Sequence, residues 1–526
     1  MKTLTKYLGI IILVVGAFTA CSDDELDTNP TDRVSGATIF QDEAAAQTAL
    51  DGCYALLYQG VFVSGNVNHA EGHQSTILAQ ELMADDMVIT NLNNWYGWDY
   101  SLYYTKSLGT GQLNTSSRSY NIWNMMYTII SNMNYVLDQE GNLGQNGNEA
   151  KNILAQAYAL RAFAYFELIQ DFQKTYIGNQ SLPGVPVYTE PTLAGAEGKP
   201  RGTVEDVYVQ INADIKSAID LFTEVGKPSQ KHCSHVDYYV AKGFEARMNL
   251  VQGKWQEAYN SAAEARSRSG NRLLSSSEIL GGMNDKGLAS NLWCMEVITE
   301  QAPIYLYYMD YRGTNGGLNQ RKCISRWLYD KINRYPDDAR LAWFKDGNQG
   351  SSLTGENVNY GQMKILMKDV GTWEGDLTFM RSEEMLLIQA EAKARLGAYG
   401  DARQLLKDLT NVRLKTATAR DNYSGYLTNL ANASTVPVND THIDPTNVLE
   451  EVLIQRRIEL WGEAGRIKDI LRLKQTFNRR YDGNNHLDYL VDVNPVAESG
   501  AFIFKIPQRE FDGNKNILSN EQNPIR

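Results

Sequence analysis

Six aromatic residues, Trp95, Tyr96, Trp98, Tyr100, Tyr103 and Tyr104, crowd into ten positions of a stretch otherwise rich in Asn and Gly. A second set, Tyr305, Tyr307, Tyr308 and Tyr311, is followed by Arg312 and Asn315, with Trp293 a little upstream. Residues of these types suit the recognition of a sugar. Flat rings stack on the apolar C–H faces of a pyranose, while Asn, Asp and Arg hydrogen-bond its hydroxyls. The competing destination of a Tyr or Trp is the core or an interface. Both sets fall where helical spacing fails, and exposed aromatic patches usually have a use. Trp95, Trp98, Tyr100, Trp293, Tyr305, Tyr307 and Tyr311 are therefore the candidate ligand-binding residues.

Other chemistry finds less support. His69 and His73 are spaced i, i+4, but Gly72 intervenes and no Glu-first zinc motif surrounds them. His232-Cys233-Ser234-His235 lacks the second ligand pair that a structural zinc site needs. Asp85-Asp86 and Asp337-Asp338 are acid pairs of the kind a glycosidase uses, yet adjacent acids point apart. The chain has no nucleophile elbow, phosphate loop or dinucleotide fingerprint. No catalytic residue, metal or cofactor is assigned.

The elements that must carry these residues are mainly helical. Helical spacing predicts helices over Glu43–Tyr58, Ile77–Val88, Tyr120–Leu137 and Lys151–Phe172. Pro183 and Pro186 forbid helix in PGVPV, and Thr203 with Asp206 caps a further helix that runs to about Phe222. An internal repeat organises the rest. VAKGFEARMNLVQGKWQEAYNSA from Val240 overlays MLLIQAEAKARLGAYGDARQLL from Met385, matching Ala246 to Ala390, Gly253 to Gly397, Trp255 to Tyr399 and Ala258 to Ala402. Helix, glycine turn, aromatic, then helix with a small contact residue is the grammar of tetratricopeptide hairpins. About four hairpins are expected, with two clear copies and two weaker ones. Between the copies, about 267–378, periodicity fails and Gly, Asn and aromatics rise; Thr418–Pro445 reads as a second, polar insertion.

The spacing of the stretch Val452–Leu473 predicts one helix, whose buried face combines an apolar stripe with charge. Arg456 lies on the face of Leu449, Leu453 and Leu460, with Glu459 and Glu463 beside it and Arg466 three residues after Glu463. A guanidinium on such a stripe is costly unless paired, so a buried structural network of Arg456, Glu459, Glu463 and Arg466 is expected.

Composition sets the outer bounds. Hydrophobic residues make up 43% and charged residues 21% of 526, as in an ordinary globular protein. A formal charge of −12 with no basic stripe excludes nucleic acid as a partner. Five scattered cysteines make no disulfide framework, and whether Cys53, Cys233, Cys294 or Cys323 pair is left open. Lys2 and Lys6 precede an apolar run from Leu8 to Phe18, then Ala20 and Cys21, so residues 1–20 read as a signal peptide. Cys21 resembles the lipid-bearing cysteine of a bacterial lipobox, with Phe18 departing from the usual aliphatic, and Ser22-Asp23-Asp24-Glu25 resembles a surface-export tract.

Several of these motifs together resemble one family. Arg456, Glu459, Leu460, Glu463, Arg466, Asp469 and Arg472 look like the late-helix signature of the RagB/SusD family, with Gln455, Ala464 and Ile467 departing from it. LRAFAYFELIQDF followed by PGVPVYTEP is similar at the corresponding place, as are Ile506-Pro507, Glu510 and Gln522-Asn523-Pro524 at the end. The resemblance implies a tetratricopeptide-like fold, mainly α, with long irregular insertions forming an outer ligand-binding lobe. The expected organisation is a lipidated tether over 21–37 and a single domain over 38–526. Within it, helical repeats occupy about 40–266 and 379–475, an insertion lobe about 267–378, and a C-terminal segment 476–526. The implied role is a lipid-anchored, surface-exposed outer-membrane protein that binds an oligosaccharide without cleaving it and delivers it to a SusC-like TonB-dependent transporter. A peptide-binding or protein-interaction scaffold at the same membrane is the alternative.

Overall fold

The computed structural model describes residues 42–58, 72–89, 100, 118–143, 147–193, 195–299, 322–345, 359–369, 372, 374–432, 440–491 and 495–524. The first helix, α1 (Glu43–Leu56), starts at Asp42, whose side chain accepts the Ala45 N–H at 2.7 Å. Helix α2 (Gly72–Leu82) lies earlier than its spacing predicts: it begins before Ile77 and stops at Leu82, where the chain turns at Met83–Asp86 and continues as strand β1 (Met87–Ile89). Helices α3 (Arg118–Asp138), α4 (Asn148–Phe172) and α5 (Val204–Glu224) follow. Thr203 and Asp206 cap α5 reciprocally, with N–H···O distances of 3.1 and 2.8 Å.

The two repeat copies are two matching hairpins: α6 (Tyr238–Gln252) with α7 (Trp255–Ser267), and, further on, Ser382–Arg395 with Tyr399–Asn411. Gly253 and Gly397 both take positive φ, +73° and +79°. In each turn the next N–H reaches five residues back, Lys254 to the Asn249 carbonyl at 3.0 Å and Ala398 to the Lys393 carbonyl at 2.9 Å. That is the Schellman closure, for which glycine carries no Cβ penalty. Ala258 and Ala402 are fully buried at the corresponding helix contacts. The copies also touch directly, the Arg395 guanidinium lying 4.7 Å from the Trp255 ring centre.

Between the hairpins run β2 (Asn291–Met295), β3 (Lys322–Ile324), α8 (Arg326–Ile332) and β4 (Leu377–Arg381), which leads straight into α9 (Ser382–Arg395). Helices α10 (Tyr399–Asn411), α11 (Ala417–Asn429), α12 (Val448–Glu459) and α13 (Arg466–Arg472) follow, and two short helical turns lie at Glu140–Leu143 and Gln508–Gly513. Sequence neighbours pack as spatial neighbours, α3 on α4, α4 on α5, α5 on α6, α6 on α7, α7 on α9 and α9 on α10. This is the stacked arrangement of a tetratricopeptide-like protein. Among the described residues two two-stranded antiparallel ribbons, β1–β3 and β2–β4, sit against it.

Two expectations need correction. Thr418–Pro445 is not simply a polar insertion: its first part is α11, which buries Ala419, Tyr423 and Leu427 at every fourth residue against α10. Nor is Val452–Leu473 one helix. Helix α12 ends at Glu459, Gly462 and Gly465 take positive φ, and α13 begins anew. At Gly465 a Cβ would also meet Gln80 Oε1 at 2.4 Å, so α2 approaches this turn too closely for a side chain.

Candidate functional site: the junction of the insertions and the helical stack

The turn between α12 and α13 fits two buried charge networks together. Glu459 is wholly buried and accepts from three guanidinia: Arg381 Nη1 at 2.8 Å, Arg413 Nη2 at 2.7 Å and Nε at 3.0 Å, and Arg340 Nη1 at 3.3 Å. Arg381 Nε also donates to Glu463 at 2.7 Å, and Lys364 binds Glu463 from the other side. Glu383 and Asp338 join through Arg381, Arg413 and Arg340. Four cations thus face four carboxylates. Burial alone would raise the Glu459 pKa; Arg413, Arg381 and Arg340 outweigh it and hold the carboxyl well below the usual range.

The second network ties the same turn to β1. Arg457 donates to Asp86 at 2.6 and 2.8 Å and to Asp85 at 3.3 Å, and Arg466 Nε lies 3.1 Å from Asp85 and 3.0 Å from Asp86. Asp85 and Asp86 are therefore fully engaged buried anchors. The Glu81 carboxylate accepts the Gly465 and Arg466 N–H groups at 2.9 and 3.2 Å.

All four residues of the expected network are ion-paired, Arg456, Glu459 and Arg466 buried and Glu463 partly so, but with other partners. Arg456 pairs with Asp469 at 2.9 Å, not with Glu459 or Glu463. Three positions along a helix leave Glu459 about 60° round from Arg456, facing Arg381 and Arg413 instead. The break after Glu459 likewise sends Arg466 to Asp85 and Asp86, just before β1, and not to Glu463. Arg472 continues the Arg456–Asp469 pair, reaching Asp469 at 2.7 Å and Glu391 at 2.7 and 2.8 Å.

These anchors hold the strand pair that borders the two long aromatic segments in the sequence. Antiparallel pairing aligns Met87 with Ile324, Val88 with Cys323 and Ile89 with Lys322. Ile89 precedes the segment of the first aromatic cluster, and Lys322 follows that of the second. The bases of both segments are therefore adjacent strand positions, about 4.5–5.5 Å apart in such a pair. Trp95, Trp98, Tyr305, Tyr307 and Tyr311 themselves lie outside the described residues, as do Cys21, His69 and the N-terminal signal and tether.

Tyr100 and Trp293 are corrected from candidate ligand residues to core residues. Tyr100 is completely buried, with its hydroxyl 2.6 Å from His486 Nδ1 and the Arg479 guanidinium 4.1 Å from its ring centre. Arg479 also binds the Tyr100 carbonyl at 2.7 Å, so this residue pins the chain to the body between β1 and α3. Trp293 is 1% exposed, ringed by Phe163, Phe244 and Phe379, and its Nε1–H donates to the Ser234 carbonyl at 2.6 Å. Neither ring offers a face to a sugar.

Half-buried rings that the sequence reading passed over stand beside the junction. Trp327 and Tyr329 on α8, with Tyr360 and Tyr481, follow β3 directly in space. Trp327 is flanked by Lys331 and Arg457, each 4.6 Å from its ring centre, so it braces the network. Its signal was a Trp two positions into a Ser325-capped helix, which periodicity alone does not distinguish from surface.

The remaining chemical candidates resolve into structure. His232 contacts Glu296 at 3.2 Å and His235 contacts Asp51 at 3.1 Å, so the two imidazoles serve different partners. Among the described residues no three His, Cys, Asp or Glu side chains cluster as a metal site. Asp338 is committed to Arg340 at 2.7 Å. A cavity of about 70 Å³ lies among Glu167, Arg247, Glu384, Arg456, Lys468 and Arg472, with room for a few waters but not a sugar ring. Arg456 Nη1 and His73 Nδ1 on its wall have no hydrogen-bond partner among the described residues, and water is the ordinary means of satisfying such groups.

Comparison with known proteins agrees with this architecture. The family model described as "Starch-binding associating with outer membrane" matches residues 36–250, and the SusD family model matches residues 304–525. The chain belongs to the SusD/RagB family. It is 22% identical to the SusD-like protein P38 of Formosa agariphila over 88% of this chain and 90% of that one. Among solved structures, a SusD-like carbohydrate binding protein from Bacteroides vulgatus superposes with a TM-score of 0.72 at 22% identity, covering 92% of this chain and 98% of that one. A laminarin binding SusD-like protein superposes with a TM-score of 0.61 at 18% identity, covering 92% and 99%. At these identities the likeness to the solved structures is one of fold.

Proposed function

We propose that this chain is a cell-surface lipoprotein that captures an oligosaccharide and passes it, uncleaved, to a SusC-like TonB-dependent transporter in the outer membrane. The observation that carries the reading is the Ile89–Lys322 pairing, which brings the bases of two aromatic-rich segments to one place on a family scaffold. Trp95, Trp98, Tyr305, Tyr307 and Tyr311 are the proposed sugar-stacking residues. No helix among the described residues is long and apolar enough to cross a membrane, and a lipid on Cys21 would supply the anchor.

The test is binding of the full chain to an array of glycans and peptides, with product analysis by chromatography. Binding to a glycan that is recovered intact, and its loss in Trp98→Ala, is the expected result. Peptide binding alone would favour a protein-interaction scaffold, and a shortened glycan would make the chain a hydrolase; either result overturns the proposal.

A further inference from the structure

We propose that Cys233 and Cys294 form a reversible disulfide that staples the connection between α5 and α6 to β2. The Cys294 N–H donates to the Cys233 carbonyl at 3.3 Å, although the two residues come from separate parts of the chain. One residue along, Trp293 Nε1 holds the Ser234 carbonyl, so the two backbones run side by side. The two side chains are near enough that each shifts the other's ionisation. Adjacent backbones with converging thiols meet the geometric demand of a disulfide, which separated cysteines do not.

The two sulfurs differ in a way that orders the reaction. Cys233 is half-buried, whereas Cys294 is buried in β2. Cys294 lowers the pKa of Cys233, and Cys233, with burial, raises that of Cys294. Cys233 is therefore the thiolate that an external oxidant meets first. The oxidant is a disulfide, small or protein-borne. Cys233 Sγ attacks one of its sulfurs, its proton going to water, and a mixed disulfide forms as one thiolate leaves and is protonated. Cys294 Sγ, losing its proton, then attacks Cys233 Sγ and expels the second thiol. Two cysteine thiols are oxidised and one external disulfide is reduced to two thiols.

The other two described cysteines serve as internal controls. Cys53 and Cys323 are buried, and burial pushes the Cys53 thiol up to about 12. The purified full chain is treated with glutathione disulfide, denatured with N-ethylmaleimide present, digested and analysed by mass spectrometry. A linked Cys233–Cys294 peptide pair, two hydrogens lighter than the reduced pair, is expected, with Cys53 and Cys323 alkylated. Oxidation should raise the thermal midpoint by about 4 °C, reversibly with dithiothreitol, from the loop closed and the size of the chain. In Cys294→Ser the reaction should stop at glutathione on Cys233. Full alkylation of both cysteines in the oxidised wild-type chain, or a reaction that halts there at the mixed disulfide, overturns the proposal. The wild-type result decides the matter even if the variant fails to fold.

Discussion

Arg381 grips Glu459 twice, Nη1 donating to the side-chain Oε1 at 2.8 Å and Nη2 to the backbone carbonyl at 2.6 Å. The first bond satisfies a buried charge, and the second satisfies a carbonyl at the end of α12 that the helix leaves open. Arg381→Ala should cost about 3–5 kcal/mol, since it strands parts of Glu459, Glu463 and Glu383 in the interior. Arg456→Ala should cost less, because Asp469 keeps Arg472. Urea denaturation of both variants checks the order, and an unchanged midpoint for Arg381→Ala would show that the network adds no stability.

Buried acids of two kinds should give stability a maximum on the acid side of neutrality. Burial, with the charge of Glu167 adding to it, raises Asp171 to about 7 against the opposing Lys468. A carboxyl whose folded pKa is raised contributes stability below its ordinary value near 4, and that contribution is lost as pH rises through 7. Glu391 is the opposite case: burial would raise it, but Arg472 and Arg395 outweigh burial and hold it at about 2. Its contribution is present above its ordinary value near 4.5 and is lost as pH falls towards 2. Asp171→Asn should flatten the slope between pH 4 and 7 while leaving the acid limb in place, as read from denaturation at several pH values. An unaltered slope would exclude Asp171 as its source.

Glycine substitutions should separate strain from mere position. Gly465→Ala meets both a φ of +68° and the Gln80 side chain, and should destabilise by about 2 kcal/mol or more. Gly52, in the middle of α1 with open space around it, should tolerate Ala with a gain of up to about 1 kcal/mol. Thermal midpoints moving the same way in both variants would contradict this reading of the turn.

The helical repeat was legible because both copies obey one local rule, a glycine that closes a Schellman turn before an aromatic. The capping box at Thr203 was legible for the same reason. Helix α11 was missed although Ala419, Tyr423 and Leu427 keep a four-residue step, because its polar residues dominate its composition. The charged stretch was read as one helix since its residue types suit helix throughout, and only the approach of α2 shows why Gly465 turns. Types and spacing indicated that Arg456, Glu459, Glu463 and Arg466 would be buried and paired. Their partners, Asp469, Arg381, Arg413 and the aspartates beside β1, come from distant segments that spacing cannot align. Tyr100 and Trp293 illustrate the limit on the site: an aromatic outside helical periodicity is equally at home in the core, as Trp293 is in β2.

Trp98 and Trp293 should respond in opposite ways to loss of the ring. Trp98→Ala should weaken glycan affinity by about 1–3 kcal/mol with the thermal midpoint nearly unchanged. Trp293→Ala empties a site among three Phe rings and should cost about 3–5 kcal/mol of stability, with the affinity of the folded fraction intact. Calorimetric titration alongside thermal unfolding separates the two effects, and destabilisation without loss of affinity in Trp98→Ala would remove that residue from the proposed binding face.

Cys21→Ala should release the chain from the membrane fraction and abolish palmitate labelling, since the proposed anchor is a single lipidated residue. Retained label in that variant would place the lipid elsewhere.

The strand pair that joins Ile89 to Lys322 has an evolutionary consequence. Two stretches of chain, one following Ile89 and the other preceding Lys322, can be lengthened or shortened without shifting the register of that pair. Asp85 and Asp86, locked to Arg457 and Arg466, hold the near end of that ribbon in place whatever is grafted onto it. Variation in either stretch is thereby uncoupled from the register of the ribbon and from the charge networks that hold the junction.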